Sequence, residues 1–165
     1  MHGGAQLPAD ENWEKSVEQI VLNHKNIVNI NYMDSFTNLR RLSLIDNAIT
    51  KIEGLEQCVL LEELTLEKNK IRYIQGLGHL RYLKKLDLGQ NKIRKLENLD
   101  SLEALVQLSL EDNEIRSLKG LGTLSGLMEL YVGNNIIDDL KEIFNLKHLV
   151  KLIILDLSVN GMCRD

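Results

Sequence analysis

The sequence predicts an α/β solenoid: a right-handed superhelix of similar coils, with a parallel β-sheet on its concave side and short 3₁₀ or turn returns on its convex side. Three observations predict it. The chain repeats itself every 22 residues, from Val17 through Leu39, Leu61, Leu83 and Leu105 to Leu127. Within each unit the apolar spacing changes from two to three, as when an extended stretch gives way to a tightly wound return. An asparagine also stands at one fixed place in nearly every unit, where a core would want an apolar side chain. Self-similarity at a period of this length marks a repeat architecture, in which each unit is one supersecondary piece.

Composition bounds the rest. At 165 residues the chain has the length of one domain, and 44% hydrophobic with 27% charged residues is a globular composition. Aromatics reach only 4%, so the core must be assembled from many small aliphatic units. A net charge of −4, from 24 acids against 20 bases, gives no global pull toward nucleic acid or anionic lipid. Cys58 and Cys163 form no paired framework, which favours a reducing compartment. The opening "MHGGAQLPADENWEK" lacks the apolar core of a secretory signal, and no apolar run approaches a membrane span. A soluble, intracellular chain is expected.

The elements follow in order. Residues 1–16 read as a tail with a short capping helix, in which Asp10 would cap and Trp13, Val17 and Ile20 would share one face. From Val17 on, the third, fifth and tenth residues after each start are apolar, from Ile20, Leu22 and Ile27 to Leu130, Val132 and Ile137. The first two of these alternate as a strand requires. Later in each unit come pairs three apart, such as Ile52 with Leu55 and Leu118 with Leu121. Between the members of successive pairs sit Gly54, Gly76, Asn98 and Gly120, residue types that tolerate a left-handed backbone. Glu142 breaks that rule, and the phrase restarts three residues late at Leu152, so the return there is expected to become a longer helical turn. The last phrase runs through Leu155, Leu157, Asn160 and Met162.

Asn47, Asn69, Asn91, Asn113, Asn135 and Asn160 each stand eight residues after a phrase begins. A coil that turns sharply after its strand leaves backbone groups that no strand neighbour satisfies, and a buried one costs about 1–3 kcal/mol. An asparagine amide both donates and accepts, so stacked copies form a ladder that holds the fold and performs no chemistry. In the first unit Lys25 holds the place, with Asn26 beside it, so the ladder starts one unit late.

The phrase L-x-x-L-x-L-x-x-N-x-I, written out in "LLEELTLEKNKI", resembles the leucine-rich repeat in its shortest intracellular class, over about residues 17 to 162. The leucine-rich regulatory subunit of protein phosphatase 1 typifies that class. The extracellular class carries proline in its returns and cysteine-rich caps, whereas the single proline here is Pro8. The runs "NLRRLSLIDNAITKIEGLEQCVLLEELTLEKNKI" and "LMELYVGNNIIDDLKEIFNLKHLVKLIILDL" also resemble a large multi-repeat member of the same family, which implies a piece of a bigger, cilium-associated scaffold. Members usually close with an extra capping segment, and "LSVNGMCRD" is not one. The expected organisation is therefore a repeat domain over 17–165, with about seven repeats and the C-terminal cap missing.

The resemblance implies that residues between the strand leucines face a concave, partner-binding surface. Arg41, Glu63, Lys85 and Glu129 fall in a first row, where alternating signs invite lateral charge pairing of about 0.2–1 kcal/mol per pair. Ser43, Thr65, Asp87, Ser109 and Tyr131 fall in a second row. Ile45, Glu67 and Glu111 fall in a third, with Gly89 and Gly133 leaving shallow gaps. Glu67, Asp87, Glu111 and Asp112 make an acidic centre, flanked by Ile45 and Tyr131 as anchors of the kind a protein interface needs. His2, His24, His79 and His148 share no face, the two cysteines lack zinc-ligand spacing, and "GLGTLSG" sits in a return rather than between a strand and a helix. No enzyme activity, metal, cofactor, nucleic acid, membrane or small-molecule substrate is expected. The expected function is a non-catalytic scaffold that binds another protein, in the cytoplasm, with the cilium or cytoskeleton implied by the resemblance. The alternative is a regulatory subunit that modulates an enzyme such as a protein phosphatase.

Overall fold

The computed structural model describes residues 12–161. The expected cap at Asp10, and Met162, Cys163 and the residues after them, lie outside that range. Seven strands of three residues each form one parallel sheet in chain order. They are β1 (Gln19–Val21), β2 (Arg41–Ser43), β3 (Glu63–Thr65), β4 (Lys85–Asp87), β5 (Gln107–Ser109), β6 (Glu129–Tyr131) and β7 (Ile154–Asp156). The period sets the register: Leu42 stands opposite Leu64, Leu64 opposite Leu86 and Leu86 opposite Leu108. At the last pair the three inserted residues are absorbed, and Leu130 stands opposite Leu155. The result is a parallel-sheet solenoid of about six turns, the fold class that the sequence predicts.

Backbone pairing outlasts the strands. Leu66 N–H donates to Asp87 O at 2.8 Å and Lys68 N–H to Gly89 O at 2.9 Å, and equivalent bonds recur in the neighbouring coils. The chain then bends at the residue just before the ladder position, which is Lys25 in the first coil and an asparagine in the others. The bending residue is left-handed in every coil: His24, Asp46, Lys68, Gln90, Asp112, Asn134 and Val159 have φ between 50° and 57°. The return is built from i→i+3 turns, as in Leu80 N–H to Leu77 O at 3.0 Å and Leu83 N–H to Leu80 O at 3.2 Å. These turns aim Leu77, Leu80 and Leu83 inward, all fully buried, and Cys58 takes the middle place in the coil before, also fully buried.

Gly54, Gly76, Asn98 and Gly120 are left-handed, with φ of 74°, 69°, 58° and 97°. At Gly76 a Cβ would collide with the carbonyl oxygen of Ile52, one coil back. Asn98 instead uses its side chain there, donating to Ile74 O at 2.8 Å. The sixth return, after β6, becomes a 3₁₀ helix, Leu140–Leu146, with Asp139 accepting the N–H of Lys141 at 2.8 Å. Glu142 reaches back to the previous coil, where its Oε2 accepts Ser117 Oγ–H at 2.6 Å and Leu118 N–H at 2.8 Å.

The front of the chain departs from expectation. A 3₁₀ helix spans only Trp13–Ser16, and Asn12 precedes it without a side-chain cap bond. Val17 is extended, and Ile20 lies within β1, so Trp13, Val17 and Ile20 share no helical face. Pairing to the second coil wins over local helix: Glu18 O accepts both Arg40 N–H at 2.8 Å and Arg41 N–H at 3.0 Å. Trp13 packs edge-on against Phe36 instead, with ring centroids 5.8 Å apart.

Candidate functional site

Strand alternation decides what faces outward. The central leucine of β2 through β6 is buried while its two neighbours lie on the other face, which puts the first two expected rows on the open side of the sheet; the third row, with Ile45, Glu67 and Glu111, follows the strands. The turn that follows each strand is held by the asparagines. Asn69 Oδ1 accepts Ile49 N–H at 3.0 Å, and its Nδ2 donates to Leu44 O one coil back at 2.9 Å and to Leu66 O in its own coil at 3.0 Å. Asn91, Asn113 and Asn135 repeat the set, and Asn160 closes it with Ile137 N–H at 3.1 Å. Asn47 serves Lys25 N–H and Ile27 N–H, both at 3.0 Å, in the coil that has no ladder asparagine of its own.

The acidic residues converge around Gly89. Glu67, Asp87, Glu111 and Asp112, with Gln90 and Ser109, line a recess of about 280 Å³. A Cβ at Gly89 would come within 3.2 Å of Asp87 Oδ1 and 3.7 Å of Glu67 Cγ, so the missing side chain is what opens the recess. Asp87 Oδ1 accepts Gly89 N–H at 2.9 Å, and Glu67 Oε1 accepts Gln90 Nε2–H at 2.8 Å. Burial pushes the Asp87 carboxyl above its ordinary range, and the charge of Glu67 adds to it. Burial also raises Glu111, with Asp87, Asp156 and Asp112 contributing. The recess is thus a place where negative charge is held at a cost, which a cationic group from outside would relieve. Tyr131 is half-buried, its hydroxyl donating to Glu129 Oε2 at 2.9 Å, and Ile45 is half-buried four strands away.

The lateral charge pairing lies elsewhere than expected. Among the described residues Arg41, Glu63 and Lys85 make no ion pair with one another. The pairs form one residue earlier, where Glu62 takes Arg40 Nη1 on one carboxylate oxygen and Lys84 Nζ on the other, both at 2.8 Å. Lying between two cations, Glu62 is held below the ordinary carboxylate range by Lys84 first and Arg40 second. Arg41, Glu63 and Lys85 are left without ion-pair partners among the described residues.

Two features escape a reading of the strand rows. One is the left-handed column before the asparagines, which no glycine announces. The other is a basic flank on the segment after them, where Lys70 and Lys92, Arg72 and Arg94, and Lys51 and Lys95 recur at or in multiples of the 22-residue period. That recurrence is a signal the sequence does carry, hidden beneath a negative net charge. The described residues hold no group of three or more His, Cys, Asp or Glu arranged for a metal ion, and no helix among them is long and apolar enough to cross a membrane.

The family described as leucine-rich repeats (2 copies) matches residues 37–79. No curated protein matches the chain. Among solved structures, internalin C2 of Listeria monocytogenes is similar at 25% identity and TM-score 0.68, over 90% of this chain and 74% of that one. A leucine-rich-repeat protein of Leptospira interrogans is similar at 28% identity and TM-score 0.74, over 90% of this chain and 39% of that one. TLR13, in a complex with ssRNA13, is similar at 27% identity and TM-score 0.79, over 88% of this chain but only 22% of that one. Residues 37–79 therefore match leucine-rich repeats, and the chain as a whole is folded as in these structures.

Proposed function

We propose that this chain is a non-catalytic scaffold that binds a partner protein on the open face of its sheet. The observation that carries the reading is the recess at Gly89, where Glu67, Asp87 and Glu111 are drawn together and Asp87 and Glu111 are raised by burial. A basic side chain entering that recess would gain charge pairing and relieve the mutual repulsion of the acids. Arg41, Ser43, Glu63, Thr65, Lys85, Ser109 and Glu129 form the polar surround, and Ile45 and Tyr131 supply apolar contact on either side. Extended, rigid surfaces of this kind are what stacked repeats offer a partner.

Affinity capture with the immobilised chain, followed by mass spectrometry, identifies the partner. Reversing Glu67, Asp87 and Glu111 to lysine should abolish its recovery while leaving the circular dichroism spectrum unchanged. Undiminished capture by that triple variant sinks the concave-face reading. The regulatory-subunit alternative rests on family resemblance, and recovery of phosphatase activity with the captured material would support it. Recovery of axonemal or microtubule proteins would instead favour the larger ciliary scaffold, related to leucine-rich-repeat-containing protein nine.

A further inference from the structure

The basic flank is a second surface, separate from the acidic recess. Two depressions meet there, of about 560 Å³ and about 340 Å³, and share Arg72, Tyr73 and Lys92 as a common wall. Lys51, Lys70, Arg72, Lys92, Arg94 and Lys95 line them, against two acids, Glu97 and Glu114. Both acids are already engaged, Glu114 with Arg94 Nε at 2.6 Å and Glu97 with Lys95 Nζ at 3.3 Å. The remaining four cations, Lys51, Lys70, Arg72 and Lys92, make no ion pair among the described residues. In their midst Tyr73 is 65% exposed.

The backbone holds this surface in register. Lys70 N–H donates to Ile49 O and Lys92 N–H to Ile71 O, both at 2.8 Å, while Ile71 and Ile74 on either side of Arg72 and Tyr73 are fully buried. Successive cations in a column therefore stand about one strand spacing apart, roughly 5 Å. Carboxylates three or four residues apart on a helix are separated by about 5–6 Å, which fits that spacing.

The patch is also short. Ahead of it the same columns carry Ala48 and Thr50; beyond it one column turns to Glu114 and Ile136, and the other runs one coil further to Arg116 before ending at Asp138. A nucleic-acid strand needs a basic track that continues, since each phosphate adds to binding. Four coils, the last offering only Arg116 beside Glu114, bounded by neutral and acidic residues on a chain of net charge −4, offer no such track. They suit a compact group of carboxylates with one apolar side chain for the exposed ring.

We propose that this flank takes a short acidic segment of a partner protein, which seats an apolar or aromatic side chain against Tyr73 and sets its carboxylates on Lys70, Arg72 and Lys92. The test is fluorescence anisotropy at about 0.05 M salt, where exposed charges are weakly screened. The probe is a labelled peptide of about twelve residues, all Asp and Glu apart from a central phenylalanine. The comparison probes are the same peptide with glycine at the centre and a single-stranded oligo-dT of equal charge.

The phenylalanine peptide should bind best. Arg72→Glu with Lys92→Glu should weaken it about tenfold or more. Tyr73→Ala should weaken it about fivefold, with little effect on the glycine peptide. Glu67→Gln with Glu111→Gln, on the open face of the sheet, should leave it unchanged, which separates this surface from the proposed concave site. All the substituted flank residues are exposed, so unaltered circular dichroism should accompany each loss. Absence of binding, indifference to Tyr73, or equal or tighter binding of oligo-dT would each overturn the proposal. So would concentration-dependent self-association that Arg72→Glu abolishes, since the occupant would then be a second copy of this chain.

Discussion

The side-chain oxygen of Asn91 accepts the backbone N–H of Ile71, in the preceding coil, at 3.0 Å. The amide of the same asparagine donates to three carbonyls, Leu66, Leu88 and Gly89, each at 3.0 Å. One side chain thus serves the turn of its own coil and ties that turn to the coil before it. Because the arrangement recurs coil after coil, each interface adds one such side chain to its backbone pairing, in a largely aliphatic interior.

Replacing Asn91 with alanine should therefore cost about 3 kcal/mol, since the Ile71 N–H and several carbonyls lose their partner inside the core. Asn91→Asp should also destabilise, because it keeps the acceptor but loses the donor and buries a charge. Asn47→Ala should cost less, as Asn47 is only partly buried and water can reach the groups it serves. Urea denaturation of the three variants ranks them. Equal losses at Asn47 and Asn91 would show that burial does not set the ladder's value.

Much of this was legible in the sequence, because a period repeated several times averages away local ambiguity. The strand rows, the ladder and the left-handed glycines follow from the 22-residue spacing, and the helical turn at Glu142 follows from its breach. What stayed hidden was decided by contacts the spacing does not encode. The left-handed residue before each asparagine is Lys68, Gln90 or even the β-branched Val159, whose types argue against that backbone. There the pairing of consecutive coils overrides intrinsic preference. At the front, Trp13, Val17 and Ile20 have helical spacing, yet Glu18 is claimed by the second coil and the helix stops. On the candidate site, the charges of Arg41, Glu63 and Lys85 were legible and their lack of mutual pairing was not, since Glu62 draws Arg40 and Lys84 to itself.

Glycine at the return has a second, sharper test. At Gly76 the backbone is left-handed and a Cβ would overlap the Ile52 carbonyl oxygen. Gly76→Ala should destabilise by about 2 kcal/mol or more, combining the left-handed penalty with displacement of the neighbouring coil. At Gly78, two residues on, the nearest atom to an added Cβ is Ser101 Oγ at 3.6 Å. Gly78→Ala should be neutral or stabilise by about 0.4–1 kcal/mol, through the loss of freedom in the unfolded chain. Thermal melts of the pair distinguish backbone conformation from a general intolerance of the return.

The acidic recess should make stability depend on pH in a defined direction. Burial raises the folded-state values of Asp87 and Glu111 above their unfolded ones. The folded chain then holds more protons than the unfolded chain between those values, so stability falls as pH rises through that interval and is greatest, for these groups, below it. Asp46, Glu62 and Glu114 are lowered by their cationic neighbours and act oppositely, losing their contribution only as pH falls through their depressed values. Asp87→Asn can still accept the Gly89 N–H, and it removes the buried charge. It should raise the melting temperature near pH 7 by about 2 °C or more. It should also flatten the pH dependence just above the ordinary carboxylate range. A lower melting temperature at neutral pH would mean that the carboxylate is stabilising where it stands.

Position along the array should decide the cost of the same substitution. Leu88 is fully buried in the fourth coil, with packed neighbours before and after it, and Leu88→Ala should cost about 2–5 kcal/mol. Leu157 holds the equivalent place in the seventh coil but is only partly buried, and Leu155 beside it is 36% exposed. Among the described residues β7 pairs with β6 alone. In a stack whose stability sums each coil and its interfaces, a coil with one interface has less to lose. Leu157→Ala should therefore cost about 1 kcal/mol, and the loss should appear first as faster amide exchange in β7 rather than as a fall in the global midpoint. Hydrogen exchange resolved by residue checks both parts. A Leu157→Ala loss as large as that of Leu88→Ala would show the seventh coil to be as tightly coupled as the fourth, and would sink the one-interface account.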